Sequence, residues 1–100
     1  MDETAFIQFI TRYLDQLSEK IEGAYWAVAE CELSEGVLKI QTEGRGIFII
    51  NRNIPRQELW LSSPFSGGAH FVYVEGQWLN TRNQEPFEPL LFNELDQLVQ

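Results

Sequence analysis

Three acids, Asp15, Glu19 and Glu22, stand at i, i+4 and i+7, a spacing that lines them along one face of a helix. Two more, Glu30 and Glu32, stand at i and i+2, which on a strand puts both on the same side, about 7 Å apart. Carboxylates crowded in this way repel one another unless a cation sits among them. Hard cations such as Ca²⁺, Mn²⁺ or iron accept carboxylate ligands. The chemistry these five residues offer is weak cation binding at a surface. The same spacing also reads as a solvated face that keeps the chain in solution. A preformed high-affinity site needs converging ligands, each held by further hydrogen bonds, and the sequence shows no such set.

A second cluster of interest surrounds Trp60. In ELWLSS the leucines Leu59 and Leu61 alternate with it, so if they enter the core Trp60 points away from it, flanked by Glu58 and Ser62. The preceding strand alternates Phe48 and Ile50 against Ile47, Ile49 and Asn51. The following one sets His70 with Val72 and Val74, opposite Phe71 and Tyr73. With Phe48 and Ile50 inward, an outward patch of Ile49, Asn51, Trp60 and His70 results, with Arg52 and Arg56 expected at its rim. Such a mixture resembles the composition of protein interfaces, where Trp and Arg supply much of the binding energy. Packing of Trp60 against Ile49 alone is the plainer reading. His70, the one histidine, reads as a surface polar group unless a partner uses it. Cys31 falls on the Ala29/Leu33 side and reads as a small buried hydrophobe. No nucleophile, base and orienting group stand out by spacing. No glycine-rich loop precedes a helix, as a phosphate site would require.

The elements that must position these residues follow from periodicity. Phe6, Ile10, Tyr13, Leu14, Leu17 and Ile21 share one face of a helix over 3–22, with Asp2 as N-cap and Gly23 as its stop. Strands are predicted at 27–33, 37–42, 47–51, 58–62, 70–74 and 77–81. They are separated by turns at Ser34-Glu35-Gly36, Glu43-Gly44-Arg45-Gly46 and Glu75-Gly76 and by loops at 53–57 and 64–68. A last helix begins at Pro86 or Pro89 and runs to about Val99, with Phe87, Leu90, Leu91, Leu95 and Leu98 as its apolar stripe. Connections this short favour an antiparallel meander. The predicted class is α+β: a two-layer α/β sandwich, with N- and C-terminal helices on one face of an antiparallel sheet of about six strands.

Composition narrows the function. One hundred residues, 44% hydrophobic, suit a single domain spanning 1–100 with a modest core. The net charge of −8 repels phosphate backbones, so nucleic acid is not an expected partner. Residues 1–35 hold eight acids against Arg12 and Lys20, which points to cations or basic protein surfaces as partners on that side. No apolar run reaches the ~20 residues that span a bilayer, so no membrane is expected. MDETAFIQF carries no basic leader pattern, and a lone cysteine makes neither an internal disulfide nor a cysteine-based zinc site. A reducing, cytosolic setting is the simplest expectation.

INRNIPRQELWLSSPFSGGAHF, residues 50–71, strongly resembles the corresponding stretch of frataxins. The matching elements are Ile50-Asn51-Arg52, Pro55, Trp60-Leu61-Ser62-Ser63-Pro64, Ser66-Gly67 and an aromatic strand leading to Trp78. The likeness extends upstream through Cys31-Glu32-Leu33 and Gly36-Val37-Leu38, and downstream through Phe87 and Leu90-Leu91. The short chain resembles the bacterial, CyaY-type branch. That resemblance implies the helix–sheet–helix fold and weak Fe²⁺/Fe³⁺ binding through carboxylates of the first helix and strand, with no organic cofactor. It also implies docking to the cysteine desulfurase and to the scaffold protein of iron–sulfur cluster assembly, as a regulator in the bacterial cytoplasm, expected to be a monomer. The metal residues it implies are Glu19, Glu22, Glu30 and Glu32, with Asp15 in the same row. The partner residues are Asn51 and Trp60, joined by Glu58 where glutamine is common and His70 where a basic residue is common. Histidine side chains change charge near neutral pH, which bears on partner choice. The helix–strand junction, usually rich in acids, here reads Gly23-Ala24-Tyr25-Trp26-Ala27-Val28-Ala29, so iron capacity is expected to be low for the family. The alternatives are an interaction module with little metal binding and a carboxylate-based ferroxidase or iron-storage protein. The chain is expected not to be an enzyme.

Overall fold

The computed structural model describes residues 1–99. Its elements are α1 (Glu3–Tyr25), β1 (Ala29–Ser34), β2 (Val37–Thr42), β3 (Ile47–Asn53), β4 (Glu58–Ser63), β5 (Gly67–Val74), β6 (Gln77–Asn80) and α2 (Phe87–Asp96), closed by one 3₁₀ turn, Gln97–Val99. The six strands form one sheet in sequence order, every neighbouring pair antiparallel. The apolar face of α1, including Phe6, Ile10, Leu14 and Ile21, and the buried Phe87, Leu91 and Leu95 of α2 share one core with the inward residues of the strands. This is the two-layer α+β sandwich that the sequence periods predict.

The same period fixes the faces. Leu38 and Ile40 on β2, Phe48 and Ile50 on β3, Leu59 and Leu61 on β4, Phe71 on β5 and Trp78 on β6 are all buried. Their alternating neighbours must therefore face the other way. The WLSSPF stretch is tied to the helix layer by a polar link. The buried Ser63 hydroxyl donates to Glu94 Oε1 of α2 at 2.6 Å and accepts from the amides of Phe65 and Ser66 at 2.9 and 3.1 Å. One hydroxyl thus ends β4, shapes the next loop and partners a buried carboxylate.

Several boundaries differ from the sequence reading. Gly23 does not stop α1; the helix runs on to Tyr25, which is buried and donates its hydroxyl to Asp96 Oδ1 at 2.5 Å. Tertiary anchoring of Tyr25 outweighs the roughly 1 kcal/mol cost of glycine within a helix. The turn closed by Val28 N donating to Tyr25 O holds residues 26–28 out of β1. The strand β5 starts at Gly67 rather than at residue 70, because Gly67 and Gly68 pair with Ser63 and Ser62 although glycine shows no alternation in a sequence. Arg52 is a correction of orientation. It follows Ile50 onto the inner side, crosses Gly36 and brings Nη1 to 3.5 Å from Thr11 Oγ1 of α1. A Cβ at Gly36, whose φ is +78°, would collide with the Arg52 side chain. Arg52 therefore braces the helix and does not rim the Trp60 patch.

The two helices are joined by hydrogen bonds between Tyr13 and Glu88 and between Tyr25 and Asp96. Burial, and then the Asp96 carboxylate, push the Tyr25 hydroxyl up to about 12. A tyrosine in an unfolded chain ionises near 10. Its contribution to stability is therefore complete below pH 10 and is lost as pH rises through 12. Replacing Tyr25 with Phe is expected to cost about 1–3 kcal/mol at pH 7. In urea unfolding curves, the fall in stability between pH 10 and 12 should be shallower for Tyr25→Phe than for the parent.

Candidate functional site

The register of the sheet assembles the outward residues into rows. Asn51 lies directly opposite Trp60, and Trp60 directly opposite His70. One row thus crosses three strands on the face the helices leave open. Around it stand Val37 across from Asn51, the half-buried Ile49 diagonal to Trp60, and Val72 and Val74 beyond His70. Val37, Ile47 and Val74 are each exposed. An apolar face with one amide, one imidazole and one indole at its centre is suited to covering by another protein.

Trp60 is held rather than loose. His70 stacks on it with ring centroids 4.0 Å apart and planes 5° from parallel. The indole Nε1–H donates to Glu58 Oε1 at 2.8 Å, and His70 Nδ1 lies 3.8 Å from the same oxygen. Glu58 is the organising group: one carboxylate, largely shielded from water, fixes the rotamer of Trp60 and draws the imidazole over the indole. The neighbour that packs on Trp60 is therefore His70. The four residues expected to form one docking patch, Asn51, Glu58, Trp60 and His70, are brought together.

The acids occupy a different place. β1 is an edge strand of the sheet, and Glu30 and Glu32 point from it to the open face, opposite Gln41 and Lys39 of β2. Asp15, Glu19 and Glu22 are exposed on α1, on the helix side of the same edge. Glu22 accepts from the Ser18 hydroxyl at 3.2 Å and lies near Cys31. Burial and the charge of Glu22 push the Cys31 thiol up to about 11, which keeps it protonated at neutral pH. The two acidic rows flank β1 without converging. Among the described residues, no group of three or more His, Cys, Asp or Glu side chains is placed to hold a metal ion. Exposed, unconverged carboxylates fit a loosely held hard cation that keeps most of its own water.

Sequence reasoning missed the conspicuous member of this edge. Trp26 is 78% exposed, more than any other large apolar side chain among the described residues. Its signal was present in the spacing, because residue 26 continues the row 15, 19, 22 by one further helical turn. No helix of the described residues is long and apolar enough to cross a membrane.

Comparison with known proteins gives these faces a context. A family model described as a frataxin-like domain matches residues 1–100. The iron–sulfur cluster assembly protein CyaY of Photobacterium profundum is 38% identical over 94 residues, covering 94% of this chain and 88% of that protein. The mitochondrial frataxin homolog of Saccharomyces cerevisiae is 30% identical over 91% of this chain, which spans about half, 52%, of that relative. Among solved structures, frataxin from Psychromonas ingrahamii superposes with a TM-score of 0.86 at 27% identity, covering 97% of this chain and 90% of its own. Trimeric yeast frataxin complexed with ferrous iron superposes with a TM-score of 0.76 at 28% identity, covering 100% and 88%.

The brace on Trp60 makes a measurable prediction. In Glu58→Ala the indole N–H loses its acceptor, so the Trp60 indole resonance in a ¹H–¹⁵N spectrum should move and broaden. Glu58→Gln, which keeps an acceptor oxygen, should move it less. An unchanged indole signal in Glu58→Ala would remove Glu58 from this role.

Proposed function

The chain belongs to the frataxin-like family, CyaY type, and from that premise we propose that it serves iron–sulfur cluster assembly as a regulatory adaptor in the bacterial cytoplasm. The proposal assigns two surfaces. The Asn51–Trp60–His70 row docks on the scaffold protein. The acidic edge of Asp15, Glu19, Glu22, Glu30 and Glu32 meets a basic surface of the cysteine desulfurase and binds Fe²⁺ or Fe³⁺ weakly as cargo.

The observation that carries this reading is the row itself. Three side chains capable of directional contact lie in register on a helix-free apolar face, and the central one is already fixed by Glu58 and His70. Holding Trp60 before contact lowers the entropy lost on association, and a buried tryptophan at an interface centre contributes about 2 kcal/mol or more. The acids act differently. They are exposed, so each contributes little individually, but together they speed encounter with a basic partner and make it sensitive to salt. Iron fits the same edge as a second occupant: open carboxylates offer oxygen ligands, while their lack of convergence favours release over storage.

A second reading follows from one specific observation. The helix–strand junction Gly23–Ala29 contributes no carboxylate, and the acids that remain do not converge. On this reading the chain is an interaction module to which iron adds little. A ferroxidase has less support, since the enclosed di-iron sites of helix bundles use carboxylates and histidines projecting inward together.

Cluster formation on a purified scaffold, driven by purified cysteine desulfurase, tests the proposal. Adding this protein should change the initial rate, and Trp60→Ala should reduce that effect at least tenfold at equal concentration. No effect of the parent protein would overturn the proposal. In parallel, titrating Fe²⁺ in the absence of partners should perturb the signals of Glu19, Glu22, Glu30 and Glu32. If partners bind while those signals stay fixed, the module reading replaces the iron-carrying one.

A further inference from the structure

Trp26 stands where three sources of negative potential meet. It caps the C-terminus of α1 in helical geometry, with φ −54° and ψ −29°, so it lies one turn beyond Glu22 on the same face. The last turn of that helix carries no basic residue, and its free carbonyl groups form the negative end of the helix dipole. Across from the helix, Trp26 lines a shallow pocket of about 280 Å³ with Glu30 of β1 and Glu43 of the following turn. Glu43 N donates to Val28 O at 3.2 Å, which holds that turn against the junction. Alanines 27 and 29 leave the pocket floor low.

Among the described residues, no cation covers this indole. Lys20 sits over Phe92 and pairs with Glu88, and Arg45 sits over Phe65. An exposed aromatic face bordered by the carboxylates of Glu30 and Glu43 attracts a planar cation, because the ring quadrupole and the carboxylates act on it together. A guanidinium satisfies both, stacking on the ring and presenting a fork of donors to the acids. An ammonium offers only a point charge.

We propose that the Trp26 pocket receives an arginine side chain from a basic protein partner. The junction then acts as a selective anchor within the acidic edge. The inference rests on the proposed function only for the identity of that partner. The junction Gly23–Ala29 contributes no carboxylate of its own, so what it adds to the edge for a cation is the exposed indole of Trp26.

The test uses the full chain and two peptides of equal charge, hexa-arginine and hexa-lysine. Hexa-arginine should bind at least threefold more tightly than hexa-lysine and shift the Trp26 indole resonance while leaving that of Trp60 in place. Trp26→Ala, a change at an exposed site, should bring hexa-arginine down to the hexa-lysine level, and Trp26→Phe should restore part of the difference. Equal binding of the two peptides, or an arginine preference that survives Trp26→Ala, overturns the inference. Neither result touches the role in cluster assembly, which the desulfurase-driven assay decides separately.

Discussion

A sheet covered on one face only forces every strand to divide its residues between a dry side and an open side. The rest of this molecule depends on that constraint. Leu59 and Leu61 are buried beneath the helices, so Trp60 has nowhere to go but out. Phe48 and Ile50 impose the same choice on Asn51, and Phe71 on His70. Antiparallel register then brings the three displaced residues onto one line. A slip of one residue in β4 would bury Trp60 and expose both leucines, so the outward row and the core are specified by the same pairing.

What holds the row in place is polar and local. Ser63 closes β4 by serving Glu94 of α2 and two amides of the next loop, which couples the end of the tryptophan strand to the helix layer. Glu58 opens the same strand and holds the indole on the open face of the sheet. The strand is thus pinned at both ends by hydrogen bonds, one facing the core and one on the open face. The acidic edge has no comparable scaffolding. Its carboxylates are spread on two sides of β1, so their influence is a field rather than a site. The sheet face thus offers a rigid, pre-positioned surface, and the edge a diffuse negative field.

Most of the fold was legible because both periods, 3.6 and 2, are strongly written in the apolar residues. The strands β2, β3 and β4 and the outward patch followed from alternation alone. What escaped was whatever depends on a distant partner. Gly23 looked like a stop because nothing in the local sequence reveals that Tyr25 is anchored on Asp96. Gly67 and Gly68 carry no side chain to alternate, so their place in β5 was invisible. Arg52 sits two residues beyond Ile50, so parity sends it inward and not to the rim of the patch, and Gly36 leaves room for it to reach α1. In the site, Asn51, Glu58, Trp60 and His70 could be listed from the sequence, but the stack of His70 on Trp60 and the role of Glu58 could not. Rotamers are set by packing, and packing is not local. The five acids were legible as an edge, while their failure to converge required the geometry of β1 against α1.

The central claim is that the helix-free face, through Trp60, is where the scaffold protein docks, separately from the acidic edge. The most direct measurement is a ¹H–¹⁵N titration of the labelled chain with purified scaffold protein. The account predicts perturbations centred on Asn51, Trp60 and His70, falling away toward Asp15 and Glu19 on α1. Perturbations confined to α1 and β1, with the Trp60 indole unmoved at saturation, would contradict it.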